Sequence, residues 1–283
     1  MLVVSDANDP EFNARLLTNL TASGWSVECA PNNQAALEEV MKRPYDLVIT
    51  AQATSAKEDV QLLRQIRAVR SHVRMIILTN DSTPKDVVAA LKERAFSYFS
   101  RPFAFDTFAQ MIRMAMKGPG WDDGIELASA TSEWIKLWVR CDPGTGDRML
   151  QYFDELVDLP EEDKSRVAFA FREMLLNAIR HGAHFDPTQY MEISYLRVRR
   201  AVACRVKDPG QGFAFDELYH AAVSNPTDNP IRHMQYREAL GLPAGGYGIL
   251  LSRHLVDELI HNEQGNEVLL VKYLDGNPAE RLD

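Results

Sequence analysis

The stretch Phe171-Arg172-Glu173-Met174-Leu175-Leu176-Asn177-Ala178-Ile179-Arg180-His181-Gly182 decides how the second half of the chain is read. Glu173, Asn177 and His181 recur at a helical spacing of four and share one face, while Met174, Leu175, Ala178 and Ile179 fall largely on another. A polar stripe therefore runs down an apolar helix. Alone, it suits a solvated face as well as a site. Downstream, Val206-Lys207-Asp208-Pro209-Gly210-Gln211-Gly212-Phe213 sets an acid at the end of an apolar strand, followed by two glycines with one residue between them. Ala244-Gly245-Gly246-Tyr247-Gly248-Ile249 sets three glycines at the opening of a helical pattern. Without Cβ atoms the backbone there can approach phosphate oxygens, and the free N–H groups and dipole of a helix start favour an anion. Taken singly, each glycine segment is an ordinary turn.

Around these segments, residues 125–283 read as an α+β two-layer sandwich, because strands cluster instead of alternating with helices. A strand-like stretch over 125–140 precedes two helical stretches. Strands over 190–196 and 201–207 form a hairpin through Val198-Arg199-Arg200. A Pro- and Asn-rich loop over 224–230, a helix over about 247–260 and a last strand over 267–274 follow. Residues 2–116 have a different rhythm, in which short apolar runs at 2–4, 25–29, 46–50, 75–79 and 97–99 alternate with amphipathic helices, the last over 105–116. This pattern predicts an α/β doubly wound fold with a five-stranded parallel sheet. Lys117-Gly118-Pro119-Gly120 cannot continue the helix before it. The expected organisation is a first domain over 1–118, a linker over 119–124 and a second domain over 125–283.

Bulk properties narrow the class. The 283 residues suit two cores, and 46% hydrophobic with 25% charged residues is an ordinary globular composition. A net charge of −9 argues against general affinity for nucleic acid or an anionic membrane, since neither phosphate-rich surface is matched by a basic footprint. Cys29, Cys141 and Cys204 are widely separated and lack metal-ligand spacing, which speaks against a disulfide framework or a zinc site. With no apolar run long enough to span a bilayer and no leader-like N-terminus, the expectation is a cytoplasmic protein.

The three segments, in this order, resemble the N box and two G boxes of the GHKL superfamily of Bergerat-fold ATPases and kinases, most of all its anti-sigma-factor serine/threonine kinases. The likeness covers residues 125–274. It implies ATP and Mg²⁺ as cofactors, with Asn177 offering its amide oxygen to the magnesium ion and Asp208 accepting a hydrogen bond from the adenine amino group. Gly210, Gly212 and Phe213 would pass close to the base, and Gly245, Gly246 and Gly248 would cradle phosphates in a mobile lid. Glu173 stands where a general base would take the proton of a substrate hydroxyl, and Arg180 and His181 stand where related kinases carry phosphate-facing groups. The last strand lacks the Thr common in related ATPases. The lid segment Leu240-Gly241-Leu242-Pro243-Ala244-Gly245 lacks charge, leaving Arg232 and Arg237 as the nearest cations.

The first domain resembles a response-regulator receiver (CheY-like) at Leu2-Val3-Val4-Ser5-Asp6, Asp46-Leu47-Val48-Ile49-Thr50-Ala51, Ile77-Leu78-Thr79 and Ser100-Arg101-Pro102-Phe103. Its phosphoacceptor position holds Ala51, the metal-binding acidic pair is reduced to Ser5-Asp6, the family Lys is Arg101, and Thr79 keeps the family pattern. This implies a degenerate receiver that aspartyl transfer does not phosphorylate, with Arg101-Pro102 a candidate cis peptide. Phe103, Phe105, Phe108, Met111, Ile112 and Met114 exceed one buried stripe and, where exposed, would serve a homodimer or dock the other domain.

The leading expectation is a Mg-ATP-dependent serine/threonine kinase acting on a STAS-type anti-sigma-factor antagonist, or on the sigma factor's circuit, by partner switching. The alternative is a nucleotide-gated protein-binding module without phosphoryl transfer. A histidine kinase half would need a phosphoacceptor His on a dimerising helix, which the sequence between 120 and 124 does not provide. A purely structural pair of domains would make the glycines turns and Glu173 and Asn177 a wet face.

Overall fold

The computed structural model describes residues 1–5, 9–51, 54–117, 123–131, 133–213, 218–242 and 245–274. Asp6 of the receiver-like site, residues 118–120 of the expected boundary and residues 243–244 of the lid lie outside the described residues. The chain divides into two compact units, Met1–Asp123 with Gln151–Val157, and Gly124–Leu150 with Asp158–Asp283.

In the first unit β1 (Leu2–Val4), α1 (Pro10–Ala22), β2 (Glu28–Ala30), α2 (Asn33–Lys42), β3 (Leu47–Thr50), α3 (Ala56–Val69), β4 (Arg74–Thr79), α4 (Pro84–Lys92), β5 (Ser97–Ser100) and α5 (Phe105–Ala115) alternate regularly. The sheet order is β2-β1-β3-β4-β5, and the pairings given by register are parallel, so the expected doubly wound five-stranded sheet is present. Its central strands are unbroken apolar runs because helices cover both faces. Leu2 to Val4 and Leu47 to Ile49 are wholly buried. Local signals fix the helix starts: the Asp9 side chain accepts from Phe12 N–H at 3.1 Å ahead of Pro10, and Thr83 and Asp86 form a capping box around Pro84. The second strand occupies Glu28–Ala30 and not residues 25–29, as Trp25 and Val27 pack on the core from the approach to it.

The surplus of aromatics near α5 is spent inside this unit. Phe108, fully buried, meets Phe99 at 5.4 Å, Phe103 at 5.2 Å and Phe105 at 5.8 Å between ring centroids. Met111 and Ile112 join the same core, with Phe103, Phe105 and Met114 partly buried against it. The Arg101-Pro102 bond is cis. Residues Gln151–Val157, placed by sequence reasoning in the second domain, associate with the first unit because their polar groups complete the end of β5: the Glu155 carboxylate accepts from Ser100 N–H at 2.8 Å and Ser100 Oγ–H at 2.7 Å.

The second unit is built on β6 (Ile125–Ala130), β7 (Trp134–Arg140), β8 (Tyr190–Val198), β9 (Ala201–Lys207), β10 (Glu258–His261) and β11 (Glu267–Tyr273), in sheet order β10-β11-β9-β8-β7-β6 and antiparallel throughout. α7 (Glu161–Asn177), α8 (Arg232–Ala239) and α9 (Gly248–Leu255) complete it, with the part of α6 (Pro143–Leu156) up to Leu150. Alternation decides the two faces. Cross-strand neighbours Leu137 and Ile193, Ile193 and Val206, and Val206 and Val268 line the buried face on which α7 packs. On the other face, Lys136 and Arg205 both pair with Glu192, and Arg205 closes a two-pronged contact on Glu267 at 2.6 and 2.8 Å. Three expectations need correction. Residues 125–140 are two strands. The helix expected over 247–260 stops at Leu255, because Val256 turns extended and β10 pairs with β11. The polar lid region contains α8.

Phe108→Ala should lower stability by about 3–5 kcal/mol, as expected for an aromatic removed from a closed core. Denaturant unfolding of the full chain measures the loss; a change below 1 kcal/mol in order of magnitude would contradict the aromatic cluster.

Candidate functional site

The site in the second unit begins where α7 ends. After Asn177 the backbone widens into a π turn, Ala178–Gly182, in which Ala183 N–H reaches back to Ala178 C=O at 2.9 Å. His184 and Phe185, at φ 52 and 60, then break the helix in the left-handed region. The wide turn delivers Gly182 onto the side chain of Asp208 at the end of β9, so that a Cβ on Gly182 would overlap the Asp208 carboxylate. Gly210 is as constrained, since a Cβ there would lie 2.7 Å from Gly182 C=O.

Asp208 is held by its main chain, donating to Asn266 C=O at 2.9 Å, and its Oδ1 accepts from Gly210 N–H at 2.8 Å. Burial pushes its carboxyl above the usual carboxylate range, and the Gly210 hydrogen bond opposes that rise only in part. The segment from Gly210 to Phe213 is zipped to the β10–β11 turn. Phe213 N–H donates to Gln264 C=O at 3.1 Å, and Gly212 and Gly265, at φ 79 each, allow two main chains to pass in contact. The buried Asn266 ties this together, donating to Gly210 C=O at 3.3 Å and accepting from Asn262 Nδ2 at 2.8 Å. The Phe213 ring meets His261 edge to face at 5.9 Å, and burial first, then Arg253, lowers His261 to about 4. Sequence reasoning missed Asn266; it stands in the last-strand region where a Thr was sought, and its amide is committed to the fold.

The third glycine segment meets the first. Gly248, the first residue of α9, lies so close to Glu173 of α7 that a Cβ would overlap the Glu173 Oε2. Glu173 and Asn177 are partly buried, and neither side chain has a hydrogen-bond or ion-pair partner among the described residues. Gly246, at φ 90, accepts from Ala222 N–H at 2.8 Å, and a Cβ on it would fall 2.6 Å from His220 C=O. Of the two lid arginines, Arg237 borders Gly245 and Gly246 and donates to His220 C=O at 3.3 Å, whereas Arg232 folds onto the Tyr236 ring. Arg180 and His181 are exposed on the π turn. Partial loss of solvent, then the neighbouring Arg180, His220, His184 and Arg237, lower the His181 pKa, so basic groups converge on this end of the site.

Beneath the lid, His233 is wholly buried and edge-on to Tyr247 at 4.6 Å. Asn225 Oδ1 accepts from His233 N–H at 2.8 Å and Asn225 Nδ2 donates to Pro230 C=O at 2.6 Å, which fixes the amide; its other hydrogen meets His233 Nδ1 at 2.6 Å. Nδ1 is therefore the acceptor nitrogen and Nε2 bears the proton. No sequence signal marked this pin of α8.

These groups fit a magnesium nucleotide. Asp208 has a carboxylate oxygen free to accept from an amino group, Asn177 presents an uncommitted amide oxygen of the kind a hard cation takes, and the backbone at Gly246 and Gly248 is bare of Cβ atoms. No cluster of three or more His, Cys, Asp or Glu among the described residues could hold a metal by itself.

In the first unit the receiver-like end is closed by Arg101. Its guanidinium pairs with Asp9, lies 3.5 Å over the Phe12 ring and donates to Ala51 C=O at 3.1 Å. Ala51 is buried after β3, Thr79 Oγ donates to Asp81 C=O at 2.9 Å, and Ser5 follows β1. A methyl group at position 51 cannot accept a phosphoryl group.

Three outcomes follow. Gly182→Ala should destabilise by about 1–3 kcal/mol, as overpacking does, and should abolish nucleotide binding, read by unfolding and by calorimetry. Asp208 has a raised folded-state pKa, so its contribution to stability is present below about pH 4 and is lost as pH rises through the folded value. Asp208→Asn should therefore raise the thermal midpoint of the nucleotide-free protein at neutral pH, with the difference vanishing in acid; a lower midpoint at neutral pH would contradict the burial argument. Incubation of the full chain with acetyl phosphate and Mg²⁺ should leave its intact mass unchanged, whereas a phosphoryl-sized increase mapped to the first unit would contradict the reading of Ala51.

Comparisons with known proteins match two families, each to its own stretch of the chain. The histidine kinase-like ATPase domain family matches residues 142–272, and the response regulator receiver domain family matches residues 2–113. The transcriptional regulatory protein GlrR of Escherichia coli is 31% identical over 145 residues, 50% of this chain and 30% of that protein. The response regulator MprA of Mycolicibacterium vanbaalenii is 27% identical over 177 residues, 62% of this chain and 71% of its own. This chain thus spans less than a third of GlrR. The solved response regulator TrrA of Thermotoga maritima aligns at 24% identity with a TM-score of 0.36, covering 41% of this chain and 96% of that one. No helix among the described residues is long and apolar enough to cross a membrane. The pairing of domains supports a regulatory ATP-binding protein, and the chain carries a response regulator receiver domain over residues 2–113 and a histidine kinase-like ATPase domain over residues 142–272.

Proposed function

We propose that this chain is a Mg-ATP-dependent protein kinase of the anti-sigma-factor type, which phosphorylates a Ser or Thr of a small STAS-type antagonist protein in a partner-switching pathway. The observation that supports it is the Glu173 carboxylate, uncommitted, one turn before Asn177 and packed on Gly248 at the start of α9. In the transfer, Glu173 takes the proton of the attacking hydroxyl, that oxygen forms the new bond to the terminal phosphorus, the bond to the bridging oxygen breaks, and ADP leaves. Asp208 would hold the base, Asn177 would offer its amide oxygen to the metal, and Arg237, beside the glycine loop, would neutralise phosphate charge. Magnesium, when bound, supplies charge neutralisation across the phosphates.

A nucleotide-gated binding module without transfer is favoured by one feature, the commitment of Asn266 to Gly210 and Asn262 where related enzymes carry a hydroxyl. Labelled Mg-ATP, incubated with the chain and with STAS-type proteins from its own gene neighbourhood, separates the two. Transfer that falls by about 10²–10⁴-fold in Glu173→Ala, with ATP affinity kept, is the expected result for a kinase. Nucleotide binding with transfer to none of these proteins selects the gated module. Unchanged ATP affinity in both Asn177→Ala and Asp208→Asn would defeat both readings.

A further inference from the structure

A second set of basic groups lies in the first unit, away from the Arg101 end. At the start of β4 and the turn into β5, a cleft of about 440 Å³ is lined by Arg67, Ser71, His72, Arg74, Arg94 and Asp123 among others. Among the described lining residues the one acid, Asp123, pairs with Arg74 Nε at 3.1 Å, and Arg74 Nη1 also donates to Ala115 C=O at 2.6 Å. Glu93, the acid that precedes Arg94 in the chain, is taken by Arg64.

Arg67 and Arg94 remain unmatched. Arg67 is partly buried, gives Nη2 to Arg94 C=O at 2.6 Å, and has a buried Nε with no acceptor and no carboxylate at ion-pair distance among the described residues. Burial accordingly disfavours its charged form. Arg94 makes no ion pair among the described residues; its φ of 58 belongs to the turn that closes α4, where Arg94 N–H donates to Leu91 C=O and Ala95 N–H to Ala90 C=O, each at 2.9 Å. Two cations that share one cleft with no carboxylate of their own at ion-pair distance among the described residues are costly to hold together.

We propose that this cleft binds a phosphorylated small molecule through its phosphoryl group, gripped by the Arg67 and Arg94 guanidinium groups. Two unmatched cations suit the near-dianionic charge of a phosphate monoester better than a single carboxylate, and planar guanidinium donors match its oxygens. The cleft is larger than phosphate alone requires and falls within the roughly 300–1,000 Å³ usual for small-molecule sites. Ser71 adds a hydroxyl for the rest of the ligand. The inference stands apart from the nucleotide site of the second unit.

Calorimetric and NMR titration of the full chain with ribose 5-phosphate, inorganic phosphate and ribose tests it. Ribose 5-phosphate should bind saturably, with inorganic phosphate weaker and ribose silent. Arg67→Gln and Arg94→Asn should each weaken binding about tenfold or more, and the double variant should abolish it. Arg94→Asn relaxes the left-handed residue and should not lower the thermal midpoint, so its loss of binding is not a loss of fold. Asp208→Asn should leave this binding intact. Equal affinity for inorganic and sugar phosphate would reject the larger ligand in favour of free phosphate. No saturable binding of either, or binding that survives the double variant, would overturn the site.

Discussion

Gly182 has no side chain, and the carboxylate of Asp208 occupies the space where one would begin. That contact joins the end of the α7 helix to the end of strand β9, and the geometry of the second unit hangs from it. It requires a glycine, a widened π turn to aim that glycine, and two left-handed residues to stop the helix just after. Once made, it fixes the distance between the polar stripe of α7 and the strand-end acid. The same logic of missing Cβ atoms recurs at Gly210 against Gly182, at Gly212 against Gln264 and at Gly248 against Glu173. In each case close packing of main chain, which hydrophobic burial alone cannot enforce, is secured by residue identity.

The site therefore has one rigid wall and one adjustable one. The strand ends and the β10–β11 turn are laced by Asn262, Asn266 and Asp208, whose hydrogen bonds leave little freedom. Opposite them, α8 is a short polar helix pinned mainly by buried His233 and Asn225, with Ile231, Met234 and Leu240 exposed to solvent. Few buried apolar groups hold it, and elements of that kind are drawn from the low-stability end of a fold.

Much of this was legible in the chain. Glycine identities and the four-residue spacing of Glu173, Asn177 and His181 carried the resemblance, and unbroken apolar runs at Leu2 to Val4 and Leu47 to Ile49 marked parallel strands. What escaped had physical reasons. α8 has almost no apolar periodicity, so its sequence looks like loop. β10 continues the apolar pattern of α9 and is a strand through its antiparallel pairing with β11 across the Asn262-Glu263-Gln264-Gly265-Asn266 turn, which the helical reading ran over. Asn266 acts through hydrogen bonds to Asn262 and Gly210 that depend on tertiary proximity. The arginines of the cleft are scattered from position 67 to 94 and meet only in the fold.

Ala51 offers no carboxylate for a phosphoryl group to join, and Arg101 is seated beside it between Asp9, Phe12 and the Ala51 carbonyl. A phosphorylated aspartate carries a lifetime, and with it a memory of when a signal arrived. A guanidinium sealed by an ion pair and an aromatic ring carries none. Whatever this unit reports to the rest of a pathway is then set by mass action, through the concentration and affinity of what binds the folded form at that moment. It behaves as a gauge with no clock.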